Sequence, residues 1–175
     1  MSSIRVVVDS SASLPRAIAD RLGITVVPIQ IQCGSESYRE NIDLTAADFY
    51  RRLETADVLT TSQPTPASFI EAYGRLTNED QAASIISLHV SARASGTCNC
   101  ATLASREFPD TDIEVVDSMS VSMGLGFLAM VSGRMSALGK QKAEILKSLM
   151  SLGERLGMFA VVPTLTYQAP HPILV

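Results

Sequence analysis

Tryptophan is absent from this chain of 175 residues, cysteine is confined to Cys33, Cys98 and Cys100, and histidine to His89 and His171. A chain of this length buries a real core without disulfides, and cysteine this sparse points to a cytoplasmic location. Positive charge is short as well. Fourteen Lys and Arg stand against 18 Asp and Glu, the net charge is −4, and Arg51-Arg52 is the one adjacent basic pair. Nucleic acid calls for a basic face, so no such partner is expected. Long hydrophobic runs are missing too: the apolar stretch after Ile4-Arg5 stops at Asp9, and none approaches a membrane span. Neither a signal peptide nor stable membrane insertion is expected. The length fits one domain, or one domain and part of a second.

The usual marks of catalysis are also lacking. A serine nucleophile needs a base that is itself held by a third group. His89 falls late in a predicted strand, where a partly buried, satisfied imidazole is the expected state, and His171 lies in the last five residues. There is no G-x-S-x-G elbow and no Walker lysine. Gly124 and Gly126 come too far after their strand to form a dinucleotide fingerprint, and its third glycine is missing. Cys98 and Cys100, two apart on a predicted helix, point to different sides and make a poor metal pair. Asp9 and Asp117 offer a Mg²⁺-binding alternative, although capping explains each equally well. No catalytic residue, metal or cofactor is therefore expected, and a binding protein fits better than an enzyme.

What the chain does contain is an alternation of strands and helices. Ile4 to Val8 reads as a buried strand, followed by a helix that Ser13 caps, Pro15 opens and Gly23 closes. Residues 24–31 read as a second strand, placed at an edge or bulged by Pro28. A turn at 33–36 leads to a short strand over 37–39. Thr45 caps a helix through Leu53, and Thr65 caps another with Pro66 in its first position. Strands over 84–90 and 113–118 alternate with helices over 97–106, 123–138 and 140–156, and a last strand is expected at 158–162. Such alternation implies an α/β fold: a mostly parallel sheet with helices on both faces, in a Rossmann-like three-layer sandwich.

Ligands of such sheets bind outside the carboxyl ends of the strands. Four polar loops belong at that edge: D-S-S-A-S (9–13), T-T-S-Q-P-T-P (60–66), S-A-R-A-S-G-T (91–97) and D-S-M-S (117–120). Hydroxyls and the free N–H groups of helix starts form an anion site without formal positive charge. Gly96 would let a ligand approach the backbone closely. The methionines at 119, 123, 130 and 135 read as ordinary core rather than as a ligand tunnel.

These motifs, in this order and spacing, resemble the DegV family of bacterial fatty-acid-binding proteins over residues 4 to about 167. V-V-D-S-S-A-S-L-P (7–15), T-S-Q-P-T-P (61–66), V-S-A-R-A-S-G-T (90–97) and V-V-D-S-M-S-V-S-M-G-L-G (115–126) carry the resemblance. It implies one bound long-chain, palmitate-like fatty acid whose carboxylate is hydrogen-bonded by Thr61 and Ser95, with Ser62, Gly96 and Thr97 close by. It further implies presentation of the fatty acid to a separate kinase, which makes an acyl phosphate for phospholipid synthesis. Burying such a tail at roughly 0.8 kcal/mol per methylene contributes about 11 kcal/mol before costs, enough for a tight site.

The chain departs from the family pattern at Ala94, at 98–100 and at its end. V-V-P-T-L-T-Y (161–167) resembles the beginning of the family's second domain, but Q-A-P-H-P-I-L-V follows where relatives carry Gly-Gly-Arg. The organisation expected is an α/β lipid-binding domain over 1–157 and the start of a second, truncated domain over 158–175, from a truncation or a shifted reading frame. The family's second-domain histidine is not matched by His171. A face left uncovered by that domain would favour a homo-oligomer or insolubility. The alternatives are a small Asp-dependent phosphotransfer or hydrolase domain and a non-functional fragment.

Overall fold

The structure, a computed structural model, describes residues 4–53, 59–157 and 159. Four strands form a parallel sheet: β1 (Ile4–Asp9), β2 (Ile24–Val27), β6 (Ser84–His89) and β7 (Asp112–Asp117), in the order β2-β1-β6-β7. The intervening β3 (Gln30–Cys33), β4 (Glu36–Arg39) and β5 (Leu59–Ser62) form a separate antiparallel sheet in the order β4-β3-β5. The β-branched runs of β1 and β6 are buried on both faces, as parallel strands between helical layers must be.

Side-chain alternation divides the core in two. Val6, Val8, Ile86 and Leu88 face one cluster with Leu125, Leu128, Ile145 and Leu149. These last come from α5 (Met123–Ala137) and α6 (Lys142–Gly153), which share that layer with α1 (Arg16–Leu22). Val7 and Ile85 face the other cluster, built with Phe69, Tyr73 and Leu76 of α3 (Pro66–Asn78) and Ala101 and Ala104 of α4 (Thr97–Ser105). The expected α/β sandwich with both faces covered is the observed one. Helix α2 (Ala46–Leu53) begins at Thr45, whose hydroxyl accepts the Asp48 N–H, and Thr65 caps α3 by accepting the Ser68 N–H.

Three local expectations need correction. Residues 24–31 are not one strand: Pro28 cannot donate to a ladder, and the chain leaves the parallel sheet there and enters the antiparallel one at Gln30. Ser13 does not cap α1. It adopts a left-handed φ of 50° at the end of a 3₁₀ turn over Ser10–Ala12, and Pro15 precedes α1 without a side-chain cap. Met119 is 72% exposed and is not core, whereas Met135 packs against the first cluster. The strand expected over 158–162 lies outside the described residues except for Phe159, which is exposed.

Candidate functional site

From β1 the chain crosses to β2 on one side and later to β6 on the other, so the strand order reverses between β1 and β6. That reversal splays the connections leaving the two carboxyl ends and opens a crevice, the usual ligand position in such sheets. The first loop (9–13), the third (91–97) and the fourth (117–120) all emerge at this edge. They are bonded together: the Ser91 N–H donates to the Ser120 carbonyl at 2.9 Å, and the Ser122 hydroxyl reaches that of Ser13 at 3.4 Å. Ser13, Met119 and Ser122 hold φ of 50°, 51° and 53°. Positive φ at non-glycine residues costs about 1–3 kcal/mol each and persists only where the surroundings impose it.

Below the edge lies a buried polar chain that the sequence did not announce. His89 Nδ1 is 3.1 Å from Asp9 Oδ2, His89 Nε2 is 2.7 Å from the Ser87 hydroxyl, and that hydroxyl is 2.7 Å from the Tyr73 hydroxyl. A carboxylate only accepts, so Nδ1 carries a proton and donates. The Ser-His-Asp connectivity matches that of a hydrolase, but Ser87, His89 and Asp9 are all without solvent exposure. No substrate carbonyl reaches Ser87, and its hydroxyl is already engaged by Tyr73. This is a structural network. Tyr73 is pushed up to about 12, first by burial, and its hydroxyl stays neutral.

Asp9 is saturated. Burial alone would raise its carboxyl, but bonds from His89, Ser11 and the Val90 N–H outweigh that and hold it below its ordinary value. Oδ2 accepts from Val90 at 3.0 Å, and Oδ1 accepts from the Ser11 N–H at 3.1 Å and contacts the Ser11 hydroxyl. Asp117 is exposed and accepts the Met119 N–H at 2.8 Å. Their strands flank β6, two strand spacings or about 10 Å apart. The Mg²⁺ pair considered from sequence is thus not assembled: one carboxylate is closed off, and each ends a strand and caps a turn.

The remaining predicted residues fall on two arms. Thr61 and Ser62 are not in a loop. They end β5, where Thr61 lies opposite Ile31 and Ser62 opposite Gln30, and both are exposed. Pro64 behind them is buried, and the Thr65 hydroxyl is used in capping α3. On the other arm, Ser95 is half-buried, its hydroxyl 2.8 Å from that of Thr97 and accepting the Thr97 N–H at 3.3 Å. Thr97 is wholly buried and supports Ser95. The arms touch through Gln63. Its side-chain amide donates to the Cys100 sulfur at 3.7 Å, and a Cβ at Gly96 would lie 2.8 Å from its nitrogen. Gly96 therefore admits the Gln63 side chain.

A groove of about 900 Å³ opens beside Thr61, within the size range of small-molecule sites. Ser10, Ser13 and Thr61 are among its polar lining residues, and Ile29, Leu44 and Phe49 among its apolar ones. The sequence could not announce this groove, because its walls come from α1, β2, the antiparallel sheet and α2, which meet only after folding. None of Met119, Met123, Met130 or Met135 lines it.

Residues 3–168 match the family model described as uncharacterised protein, DegV family. A DegV domain-containing protein of Clostridium perfringens is 33% identical over 151 residues, covering 86% of this chain and 53% of that protein. One from Streptomyces coelicolor is 33% identical over 164 residues, covering 94% and 58%. The chain thus spans little more than half the length of these curated relatives. Among solved structures, a fatty-acid-binding DegV family protein from Thermus thermophilus superposes with a TM-score of 0.79 at 32% identity, covering 87% of this chain and 54% of the other. DegV of Bacillus subtilis, a fatty acid binding protein, gives 0.83 at 28% identity, covering 88% and 55%. A shared fold and a family match over residues 3–168 lead to one conclusion: this chain belongs to the DegV family.

Proposed function

We propose that this chain binds a long-chain fatty acid, with Thr61 and Ser95 donating hydrogen bonds to its carboxylate and Ser62, Gly96 and Thr97 shaping their surroundings. The observation that carries the reading is the approach of the two hydroxyl-bearing arms through Gln63 and Gly96, with Thr61 opening onto a groove whose walls include Ile29, Leu44 and Phe49. The groove takes the tail. An unpaired buried carboxylate costs several kcal/mol, and charge-assisted hydrogen bonds from two hydroxyls offset much of it. The solved relatives described as fatty-acid-binding support the same ligand class. In this reading residues 1–157 are the lipid-binding domain and 158–175 begin a second one. The protein is non-catalytic and presents the fatty acid to a separate fatty acid kinase for acyl phosphate and phospholipid synthesis.

The test is gentle purification followed by lipid extraction and mass spectrometry, with the double variant Thr61→Ala/Ser95→Ala in parallel. A stoichiometric fatty acid, lost in the double variant, is the expected result. A folded protein that carries no lipid and takes up no added palmitate overturns the reading.

A further inference from the structure

We infer that Asp9 and Ser10 together set the spacing between the two carboxylate-binding arms, acting as positioning residues that touch no ligand carboxylate themselves. The inference rests on the fatty-acid reading above. Asp9 reaches one arm: its Oδ2 accepts the Val90 N–H at 3.0 Å, next to Ser91, whose carbonyl in turn accepts the N–H groups of Ala94 and Ser95. Ser10 reaches the other arm: its hydroxyl accepts the Ile29 N–H at 2.9 Å, at the point where the chain leaves the parallel sheet. Ile29 leads directly into β3, which pairs Ile31 with Thr61. Two adjacent side chains, at the end of β1 and the start of the 3₁₀ turn, are thus bonded to the backbone that leads to Ser95 and to the backbone that enters β3, the strand paired with Thr61. Both residues are buried, Asp9 at 0% and Ser10 at 7% exposure.

A carboxylate needs donors from both arms at a set separation, whereas an alcohol is satisfied by one. Loss of the brace therefore separates the two ligand types. A change that merely loosened the fold would weaken both alike.

The experiment measures palmitate and 1-hexadecanol binding by calorimetry for wild type, Ser10→Ala, Ser10→Thr and Asp9→Asn, each checked for folding by circular dichroism. Ser10→Ala is expected to weaken palmitate about tenfold while moving hexadecanol less than about twofold, the scale of one lost hydrogen bond expressed at the clamp. Ser10→Thr, which keeps the hydroxyl beside the open groove, restores palmitate binding. Asp9→Asn follows Ser10→Ala if it folds, and Ser10→Ala decides the matter if it does not. Equal losses for both ligands, or unchanged palmitate affinity in Ser10→Ala, overturn the inference while leaving the fatty-acid reading intact. Absence of palmitate binding in the wild type removes that reading, and the inference falls with it.

Discussion

The Asp9 carboxylate and the His89 imidazole meet at 3.1 Å with no solvent exposure on either side. The contact ties the end of β1 to the end of β6 across the strand pair in which Val8 lies opposite Leu88. Phe69 closes over the imidazole edge-on, with ring centroids 5.0 Å apart.

Removing the imidazole takes a hydrogen-bond partner from two buried groups at once, the Asp9 carboxylate and the Ser87 hydroxyl, and opens a cavity between them. His89→Ala is therefore expected to destabilise the fold by about 3–5 kcal/mol, the range for breaking a buried pair. Urea unfolding followed by circular dichroism measures it. A loss under about 1 kcal/mol would contradict the buried network.

Acid stability follows from the same carboxylate. Asp9 is held below its ordinary value of 3.8 in the folded protein, so its stabilisation is complete above the unfolded value. As the pH falls below 3.8 the unfolded chain takes up the proton first, and this contribution drains away until the depressed folded value is passed. Asp9→Asn should be less stable at neutral pH, with a shallower decline below about pH 4. Urea midpoints between pH 6 and pH 3 report both, and parallel slopes for the two proteins would refute the assignment.

Two glycines of α5 should behave differently. A Cβ at Gly126 would lie 2.7 Å from the Ala12 backbone carbonyl, which the 3₁₀ turn holds in place. A Cβ at Gly124 would meet the Ser120 hydroxyl, the end of a side chain that rotates away. Overpacking costs about 1–3 kcal/mol and helix propensity returns up to about 1 kcal/mol. Gly126→Ala should lower the thermal midpoint, and Gly124→Ala should leave it nearly unchanged. A larger loss at Gly124 would reverse the argument.

Cys98 should be a slow thiol. Burial, reinforced by the negative charges of Asp117 and Asp9, pushes it up to about 11, and its sulfur donates to the Val90 carbonyl at 3.6 Å. Brief iodoacetamide treatment at pH 7.5 followed by peptide mass spectrometry should leave Cys98 unmodified, because the thiolate is the nucleophile. Rapid alkylation of the folded protein would contradict this environment.

Much of the architecture was legible from local chemistry. The β-branched runs, the caps at Thr45 and Thr65 and the left-handed Gly23 announce themselves, because each depends on neighbours within a few positions. The hydroxyl-rich loops and the motifs shared with the DegV family could be read the same way. Misreadings arose where distant partners intervene. Ser13 has the chemistry of a cap, yet the turn begun by Asp9 consumes its position. The run 24–31 looks continuous, but two sheets compete for it and Pro28 divides it.

The sequence by itself determined the α/β alternation, the polar strand ends and the family, since strand and helix periodicity and turn chemistry are short-range properties. Tertiary structure alone decided that Asp9 is a saturated, buried hub, that Gly96 receives Gln63, and that Thr61 opens onto a groove. Each of these depends on which groups are withdrawn from water and which find partners tens of residues away. Asp9 and His89 are 80 positions apart in the chain, and only the pairing of β1 with β6 brings them together.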